Sequence, residues 1–194
     1  MLQPQHITEY MINKYILPAD IVIDGTAGNG NDTLKLCKAV GNEGKVYAFD
    51  IQKSALCHTE QRLKEEGFEN AVLILDSHAN MDEYIHEKVK AVIFNLGYLP
   101  GGDHNLQTKY DTTIKAIEKS LQLLTDDGFI SVTVYYGKNS GTEEKERVMD
   151  YLKNLNHKLY TVMVHDFYNR PNNPPITVII TKNNGASLHQ SACR

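Results

Sequence analysis

Two acidic residues bracket a short glycine-rich segment that follows an apolar run. Residues 24–32 read Asp-Gly-Thr-Ala-Gly-Asn-Gly-Asn-Asp and come directly after Ile-Val-Ile at 21–23. Glycines let the backbone approach a bound ligand, and the unpaired N–H groups at the start of the next helix face that ligand. The carboxylates of Asp24 and Asp32 repel a phosphate but attract a cation. The segment therefore predicts a site for a ligand with an ammonium and a sulfonium group, which describes S-adenosylmethionine.

The spacing of the glycines excludes two common phosphate sites. Gly25, Gly28 and Gly30 read G-x-x-G-x-G, which differs from the G-x-G-x-x-G of dinucleotide sites. No Gly-Lys-Ser or Gly-Lys-Thr follows, as a P-loop requires. We expect Asn31 or Asp32 to cap the following helix with its side chain.

Further polar residues follow the next two strand-like runs. Asp50 ends the run 45–49, and an acid at this place in nucleotide-binding folds accepts hydrogen bonds from ribose hydroxyls. The alternative for Asp50 is a cap or turn residue. Asp76, Ser77 and His78 follow the third run and are predicted to bind the adenine edge. The alternative for His78 is a histidine at a helix start or on the surface.

The fourth strand-like run ends in Asn95, and the block 94–104 at its end lies where such folds hold the methyl acceptor. Asn95, followed by a glycine and an aromatic residue, loosely resembles the Asp/Asn-Pro-Pro-Tyr turn of amino-methylating enzymes. We expect Asn95 to orient a nitrogen nucleophile, Tyr98 to stack on a base, and Asp103 or a water to take the proton. The alternative is a structural loop closed by Gly101 and Gly102.

These residues need a sheet whose strand ends meet at one edge. Apolar runs alternate with helical patterns, which is typical of a parallel sheet with helices on both faces. The predicted fold is α/β and Rossmann-like, of the class I methyltransferase type, with seven strands. Because residues 166–175 are too few for a helical crossover, the last two strands should be antiparallel to each other. The predicted strands are 21–24, 45–50, 71–75, 89–95, 129–135, 159–164 and 176–181.

Composition limits the class of protein. The chain has 194 residues and is 41% hydrophobic, which predicts a single domain at 1–182 followed by a polar tail at 183–194. Three unpaired cysteines and the lack of a long apolar run predict a cytoplasmic protein without membrane segments, and scattered histidines predict no metal site. The formal net charge of −4 means that RNA binding needs a local basic patch. The candidates, equally explained as solvated helix faces, are Lys138, Lys145, Arg147, Lys153, Lys158 and Arg170.

Several motifs together resemble one enzyme family. They are Asp-Gly-Thr-Ala-Gly-Asn-Gly-Asn-Asp-Thr at 24–33, Phe-Asp-Ile-Gln at 49–52, Ser-His at 77–78, the block 94–103, Thr-Ile-Lys-Ala-Ile at 113–117 and Asn-Pro-Pro at 173–175. Over residues 10–182 the chain resembles the small bacterial tRNA 5-aminomethyl-2-thiouridine methyltransferases, formerly labelled rRNA methylases. The resemblance implies methyl transfer from S-adenosylmethionine to the primary amine of that nucleoside at the tRNA wobble position.

The resemblance also implies roles for single residues. Asn95 should lie between cofactor and acceptor, the partner should be a tRNA anticodon arm, and a homodimer is expected. The family has Val-Tyr-His-Gly where this chain has Tyr136, so no role of that histidine is transferred. The residues expected to contact the cofactor are Asp24, Gly28, Asn29, Asn31, Asp32, Asp50, Gln52, Ser77 and His78.

Two other functions remain open at the level of sequence. The first is a methyltransferase that acts on another RNA base or on a small amine. The second is a non-catalytic RNA-binding scaffold that keeps the fold, against which the acids Asp24 and Asp50 and the amide Asn95 argue.

Overall fold

The computed structural model describes residues 3–97, 108–137 and 141–183. Within these ranges the strands are β1 (Ile21–Asp24), β2 (Lys45–Asp50), β3 (Ala71–Leu75), β4 (Val89–Leu96), β5 (Leu124–Val134), β6 (Tyr160–His165) and β7 (Ile176–Lys182). The α-helices are α1 (Pro4–Tyr15), α2 (Asn31–Val40), α3 (Lys53–Glu65), α4 (Tyr110–Leu123) and α5 (Thr142–Lys153). A short 3-10 helix, His78–Glu83, follows β3.

All seven strands form one sheet in the order β3-β2-β1-β4-β5-β7-β6. Strands β1 to β5 pair in parallel, whereas β7 is antiparallel to both of its neighbours. This arrangement confirms the predicted α/β fold with one antiparallel strand. From β1 the chain adds strands towards one edge of the sheet, and from β4 it adds them towards the other edge. The carboxyl ends of β1 and β4 therefore border the crevice in which such sheets bind ligands.

Each face of the sheet is covered by its own set of helices. Successive residues of a strand point to opposite faces, so Val22 and Ile23 belong to different apolar clusters. The cluster with Val22 includes Leu36 of α2 and residues of α1 and α3, whereas the cluster with Ile23 includes Ile117 of α4 and residues of α5. The two clusters hold the sheet rigid, so residues at the strand ends have fixed positions.

One local prediction is wrong. Strand β5 begins at Leu124 instead of 129, because Leu124 pairs with Val89 before a register shift, and Gly128 lies inside the strand. Helix α5 begins after Gly141, which is its N-cap, and no side chain caps this end. The carbonyl of Gly141 instead accepts the Lys145 N–H at 2.9 Å as the first helical bond.

The division into a domain at 1–182 and a tail stays a prediction, and residues 184–194 lie outside the described residues. No helix in the described part of the chain has both the length and the apolar character that crossing a bilayer requires.

Candidate active site

The glycine-rich turn joins β1 to α2, and a glycine caps the helix. Gly30 is the N-cap of α2 with φ of 76°, and no side chain caps this end. Asn31 and Asp32 are the first two helical residues, so the prediction that one of them caps the helix is wrong. A Cβ at Gly30 would lie 2.9 Å from Thr59 Oγ1, which leaves glycine as the residue that fits both the backbone and the space.

Asp24 stabilises the turn from inside. Its side chain is fully buried, and its two carboxylate oxygens accept the Thr26 N–H at 3.1 Å and the Thr33 hydroxyl at 2.6 Å. Both partners belong to the turn or to the helix that follows it. The structure therefore gives Asp24 contacts to the protein itself, and a direct contact of Asp24 with the cofactor stays a prediction.

Burial, with the charge of Asp32 as the next largest cause, raises the pKa of Asp24 from 3.8 to about 7. The folded state holds the Asp24 proton more tightly than the unfolded state does. The stabilisation of the folded state that results is therefore full below about pH 3.8 and is lost as the pH rises to about 7. Asp24→Asn keeps the shape but does not titrate. We expect the stability of the wild type, relative to Asp24→Asn, to fall by about 2–3 kcal/mol between about pH 5 and about pH 7.5.

Urea unfolding of both cofactor-free proteins at the two pH values measures this difference. The difference between the two free energies of unfolding cancels the titration of the other carboxylates, which the two proteins share. A difference that stays constant with pH would show that Asp24 is ionised throughout this range.

Asp50 connects the end of β2 to the glycine-rich turn. Its Oδ2 accepts the Gly28 N–H at 2.9 Å, and its Oδ1 accepts the Gln52 N–H at 2.8 Å. Each carboxylate oxygen has a second lone pair, and the residue is only half-buried. Asp50 is thus held in one orientation and retains acceptor sites for a pair of neighbouring hydroxyl groups.

His78 lies beneath the turn. Its side chain is 8% exposed, its Nδ1 lies 2.9 Å from the carbonyl oxygen of Gly25, and its ring packs edge-on against Phe94 at 5.5 Å. Burial lowers the pKa of His78, so the neutral ring donates from Nδ1. The surface position considered above is therefore wrong for His78. Its buried Nε2 has no hydrogen-bond partner among the described residues.

The side chains of the two residues just before His78 form hydrogen bonds with residues that follow closely in the chain. The Ser77 hydroxyl accepts the Ala79 N–H at 3.2 Å and so caps the 3-10 helix. The Asp76 carboxylate accepts hydrogen bonds from the Asn80 amide and, at 3.0 Å, from the Tyr84 hydroxyl. These bonds fix the loop after β3, and adenine binding by its residues stays a prediction.

Asn95 is the polar residue at the carboxyl end of β4, and it touches the turn twice. Its backbone N–H donates to Thr26 Oγ1 at 2.8 Å, and its side-chain Nδ2 donates to Asp32 Oδ2 at 2.9 Å. The carboxylate of Asp32 can only accept, so it fixes which end of the amide faces it. Asn95 Oδ1 therefore points away from Asp32 and is available as an acceptor.

Asn29 and Asn31 face a different element. Together with residues of α3 they line an open cavity of about 310 Å³, and Arg62 donates a hydrogen bond to Asn31 Oδ1. The structure thus brings Asn29 and Asn31 to the α3 side of the turn, whereas Asp32 faces Asn95. Their contact with the cofactor stays a prediction. The α3 residues of the cavity are His58, Gln61, Arg62 and Glu65.

Sequence reasoning missed Thr26. Thr26 links Asp24 to the backbone of Asn95, and Tyr135 follows β5 near enough to Asp32 for that charge to add to burial in raising the pKa of the tyrosine. A threonine inside a glycine-rich turn was the available signal for Thr26. Tyr98 and Asp103 lie outside the described residues, so their predicted roles have no structural account.

Cationic side chains lie over aromatic rings near this edge of the sheet. Lys145 lies 3.9 Å from the ring centre of Tyr136, and Arg147 lies 5.6 Å from that of Tyr110. In the loop before β7, Arg170 lies 4.0 Å from the ring centre of Phe167. Such pairs offer a positive charge and a stacking surface together, which single-stranded nucleic acids require. Lys138 lies outside the described residues.

The charges of the site suit S-adenosylmethionine. Asp24, Asp32 and Asp50 surround one turn, and the charges of both other acids contribute to the raised pKa of Asp24. A cationic ligand relieves this repulsion, whereas an anionic ligand increases it. Asp50 has acceptor oxygens of the kind that ribose hydroxyls require, and its contact with the ribose stays a prediction. Among the described residues, no group of three or more His, Cys, Asp or Glu side chains is arranged to hold a metal ion.

Comparisons with known proteins agree with this geometry. The model of a family described as Putative rRNA methylase matches residues 46–181. A chloroplast protein of Arabidopsis thaliana, the tRNA (mnm(5)s(2)U34)-methyltransferase, is 37% identical over an alignment of 182 residues that covers 88% of this chain and 66% of that protein. The chain thus spans about two thirds of its length, and a third or less of the other curated relatives it matches first.

Two solved structures share the whole fold. A putative rRNA methylase from Clostridium thermocellum has a TM-score of 0.93 at 43% identity, with 94% of this chain and 99% of that chain covered. A putative methyltransferase from Streptococcus mutans, in complex with SAH, has a TM-score of 0.87 at 37% identity with the same coverage. The fold is therefore the Rossmann-like class I methyltransferase fold that the sequence predicts.

Proposed function

We propose, because this chain belongs to the Putative rRNA methylase family, that it methylates the amine of 5-aminomethyl-2-thiouridine at the wobble position of tRNA. The cofactor is S-adenosylmethionine, in keeping with the relative that was crystallised with its product SAH. The chloroplast relative is named for this wobble nucleoside, which supports the choice of methyl acceptor. The tRNA anticodon arm is thus the proposed partner, and a homodimer stays a prediction.

The observation that carries the proposal is the orientation of Asn95. Its Nδ2 is bound to Asp32, so Oδ1 is the acceptor that a primary amine would meet at the carboxyl end of β4. An amine nitrogen that donates one N–H to this oxygen keeps its lone pair free. Holding that lone pair in line with the methyl carbon supplies most of the rate enhancement in such a reaction.

The charge of the amine sets a second requirement. An alkylamine is protonated at neutral pH, and only its neutral form has a lone pair that can attack. Asp32 lies beside Asn95 and first attracts the ammonium group, and the proton then leaves to Asp103 or to water. When bound, S-adenosylmethionine supplies an electrophilic methyl group on a positively charged sulfur.

On the cofactor side, we assign the ribose hydroxyls to Asp50. The bonds that Asp50 accepts from Gly28 and Gln52 orient its remaining lone pairs, and the neutral His78 supports the turn through the carbonyl of Gly25. Asp24 acts one step further away, because its bonds to Thr26 and Thr33 hold the turn in shape. We assign Asp24 a positioning role and not a contact.

We place the RNA base and backbone at the aromatic residues of the same edge. Tyr135 is 39% exposed and adjoins Asp32, so its ring is a candidate platform for the uracil. We assign the flanking phosphates to two cation–aromatic pairs. Lys145 lies over Tyr136 near the amino end of α5, and Arg147 lies over Tyr110 at the amino end of α4.

Mass-spectrometric nucleoside analysis tests the function directly. The purified protein is incubated with S-adenosylmethionine and tRNA that carries the unmethylated 5-aminomethyl-2-thiouridine. We expect this nucleoside to disappear and its methylaminomethyl form, heavier by one methylene, to appear in equal amount. tRNA without the aminomethyl group is the matched control and should remain unchanged.

A failure to convert this tRNA, with cofactor binding shown by calorimetry, would contradict the wobble assignment and leave the methyltransferase fold intact. Ribosomal RNA, for which the family is described, would then be the next acceptor to test. Binding of RNA without any methyl transfer would indicate the scaffold function instead.

A further inference from the structure

Glu144 is a buried carboxylate outside the site described so far. It lies in the first turn of α5, its side chain is 6% exposed, and burial raises its pKa above the ordinary value. Removing a carboxylate from water costs several kcal/mol unless hydrogen bonds replace the lost hydration. A threonine or valine at this position would avoid the cost. A buried carboxylate at this position is therefore expected to have specific hydrogen-bond donors.

Two hydroxyl groups from different parts of the chain bind this carboxylate. Glu144 Oε1 accepts the hydroxyl of Thr113 in α4 at 2.8 Å. Glu144 Oε2 accepts the hydroxyl of Thr108 at 2.6 Å. A carboxylate is suited to this place because it accepts at both oxygens, and an amide would have to donate from one of them.

Thr108 links Glu144 to the end of β4 through hydrogen bonds. Its Oγ1 accepts the Gly97 N–H at 2.8 Å, and its own N–H donates to the Gly97 carbonyl at 3.0 Å. Gly97 has φ of 140°, a conformation that other residues rarely adopt, and a Cβ there would lie 3.2 Å from Tyr135 Cβ. The chain direction after β4 is therefore imposed by these bonds and not by local preference.

Gly97 follows Asn95 by two residues, and the carbonyl of the intervening Leu96 accepts the Tyr135 N–H at 2.9 Å. Hydrogen bonds thus run from Glu144 through Thr108 to Gly97, and the backbone of Leu96 joins Gly97 to Asn95, the residue proposed to orient the amine. We infer that Glu144 is a positioning residue of the methyl-acceptor site, acting on Asn95 through Thr108. This inference rests on the proposed role of Asn95.

A pair of threonine variants tests the inference. Thr108→Val and Thr113→Val each remove one hydroxyl donor from Glu144, but only the first also removes the acceptor of the Gly97 N–H. We expect Thr108→Val to lower kcat by about tenfold to a hundredfold, because small misplacements of a reacting group have effects of that size. Thr113→Val should lose similar stability but keep kcat within about twofold.

Thr108→Ser keeps the hydroxyl and should restore kcat to nearly the wild-type value. The dissociation constant of S-adenosylmethionine should stay unchanged in all three variants, because the hydroxyls of Thr108 and Thr113 bind Gly97 and Glu144 and not Asp50 or the turn. Equal losses of kcat in Thr108→Val and Thr113→Val would overturn the inference, since both would then reflect a loosened α5.

A spectroscopic readout separates this inference from the proposed function. The side-chain amide signals of Asn95 in a nitrogen–proton spectrum of the cofactor-free protein are identified as those absent from Asn95→Ala. Thr108→Val should shift or broaden these signals, and Thr113→Val should leave them in place. If the signals respond in this way while the wild type methylates no wobble nucleoside, the connection stands and the proposed acceptor is wrong. If they stay fixed in Thr108→Val, the inference is overturned.

Discussion

Asn95→Ala is expected to lower kcat for the wobble nucleoside by about 10²- to 10³-fold. Removing one well-placed hydrogen-bonding group from a reacting centre has an effect of this size in other enzymes. The structure gives Asn95 two fixed contacts, with Thr26 and Asp32, and leaves Oδ1 for the amine. Without Oδ1 the amine can still reach the methyl group, but its lone pair is no longer aligned with it.

Single-turnover kinetics with saturating tRNA and cofactor measure the chemical step directly. Asn154→Ala is the matched control, because it removes an exposed amide at the end of α5, far from the site. The affinity for S-adenosylmethionine should remain within about threefold in both variants. Normal turnover by Asn95→Ala would remove Asn95 from the acceptor site and with it the main support for the proposed function.

The main features of the sheet follow from local sequence. Each strand is a short apolar run, and the loop between β6 and β7 is too short for a helix, so the antiparallel strand could be predicted. Asp50 could be placed for the same reason, because its position depends only on where β2 ends. The start of β5 could not, since Leu124 belongs to the sheet through its pairing with Val89 on another strand.

The contacts within the site depend on residues far apart in sequence. Thr26 is useful because the Asn95 backbone, 69 positions later, donates to its hydroxyl. His78 is buried because its ring lies beneath Gly25, 53 positions earlier. The orientation of the Asn95 amide requires Asp32. Sequence patterns identify which residue types could act, whereas their pairing comes only from the folded sheet.

Asp50→Ala is expected to weaken S-adenosylmethionine binding by about a hundredfold, or about 3 kcal/mol. The variant removes the two charge-assisted bonds proposed for the ribose hydroxyls, and the N–H groups of Gly28 and Gln52 lose their acceptor. SAH has the same ribose but no positive charge on sulfur. Its affinity should therefore fall by the same factor, which calorimetry with both compounds measures.

The comparison of the two compounds distinguishes a ribose contact from a general effect of charge. Asp32→Asn removes a carboxylate that faces Asn95 and not the ribose, so it should weaken S-adenosylmethionine more than SAH. Asp20→Asn is the control for lost charge alone, because an amide oxygen can still accept the Leu17 N–H. Asp20 precedes β1 at the opposite edge of the sheet, so this variant should change neither affinity. If Asp50→Ala weakened only S-adenosylmethionine, Asp50 would act on the sulfonium charge, and the ribose would have to bind elsewhere.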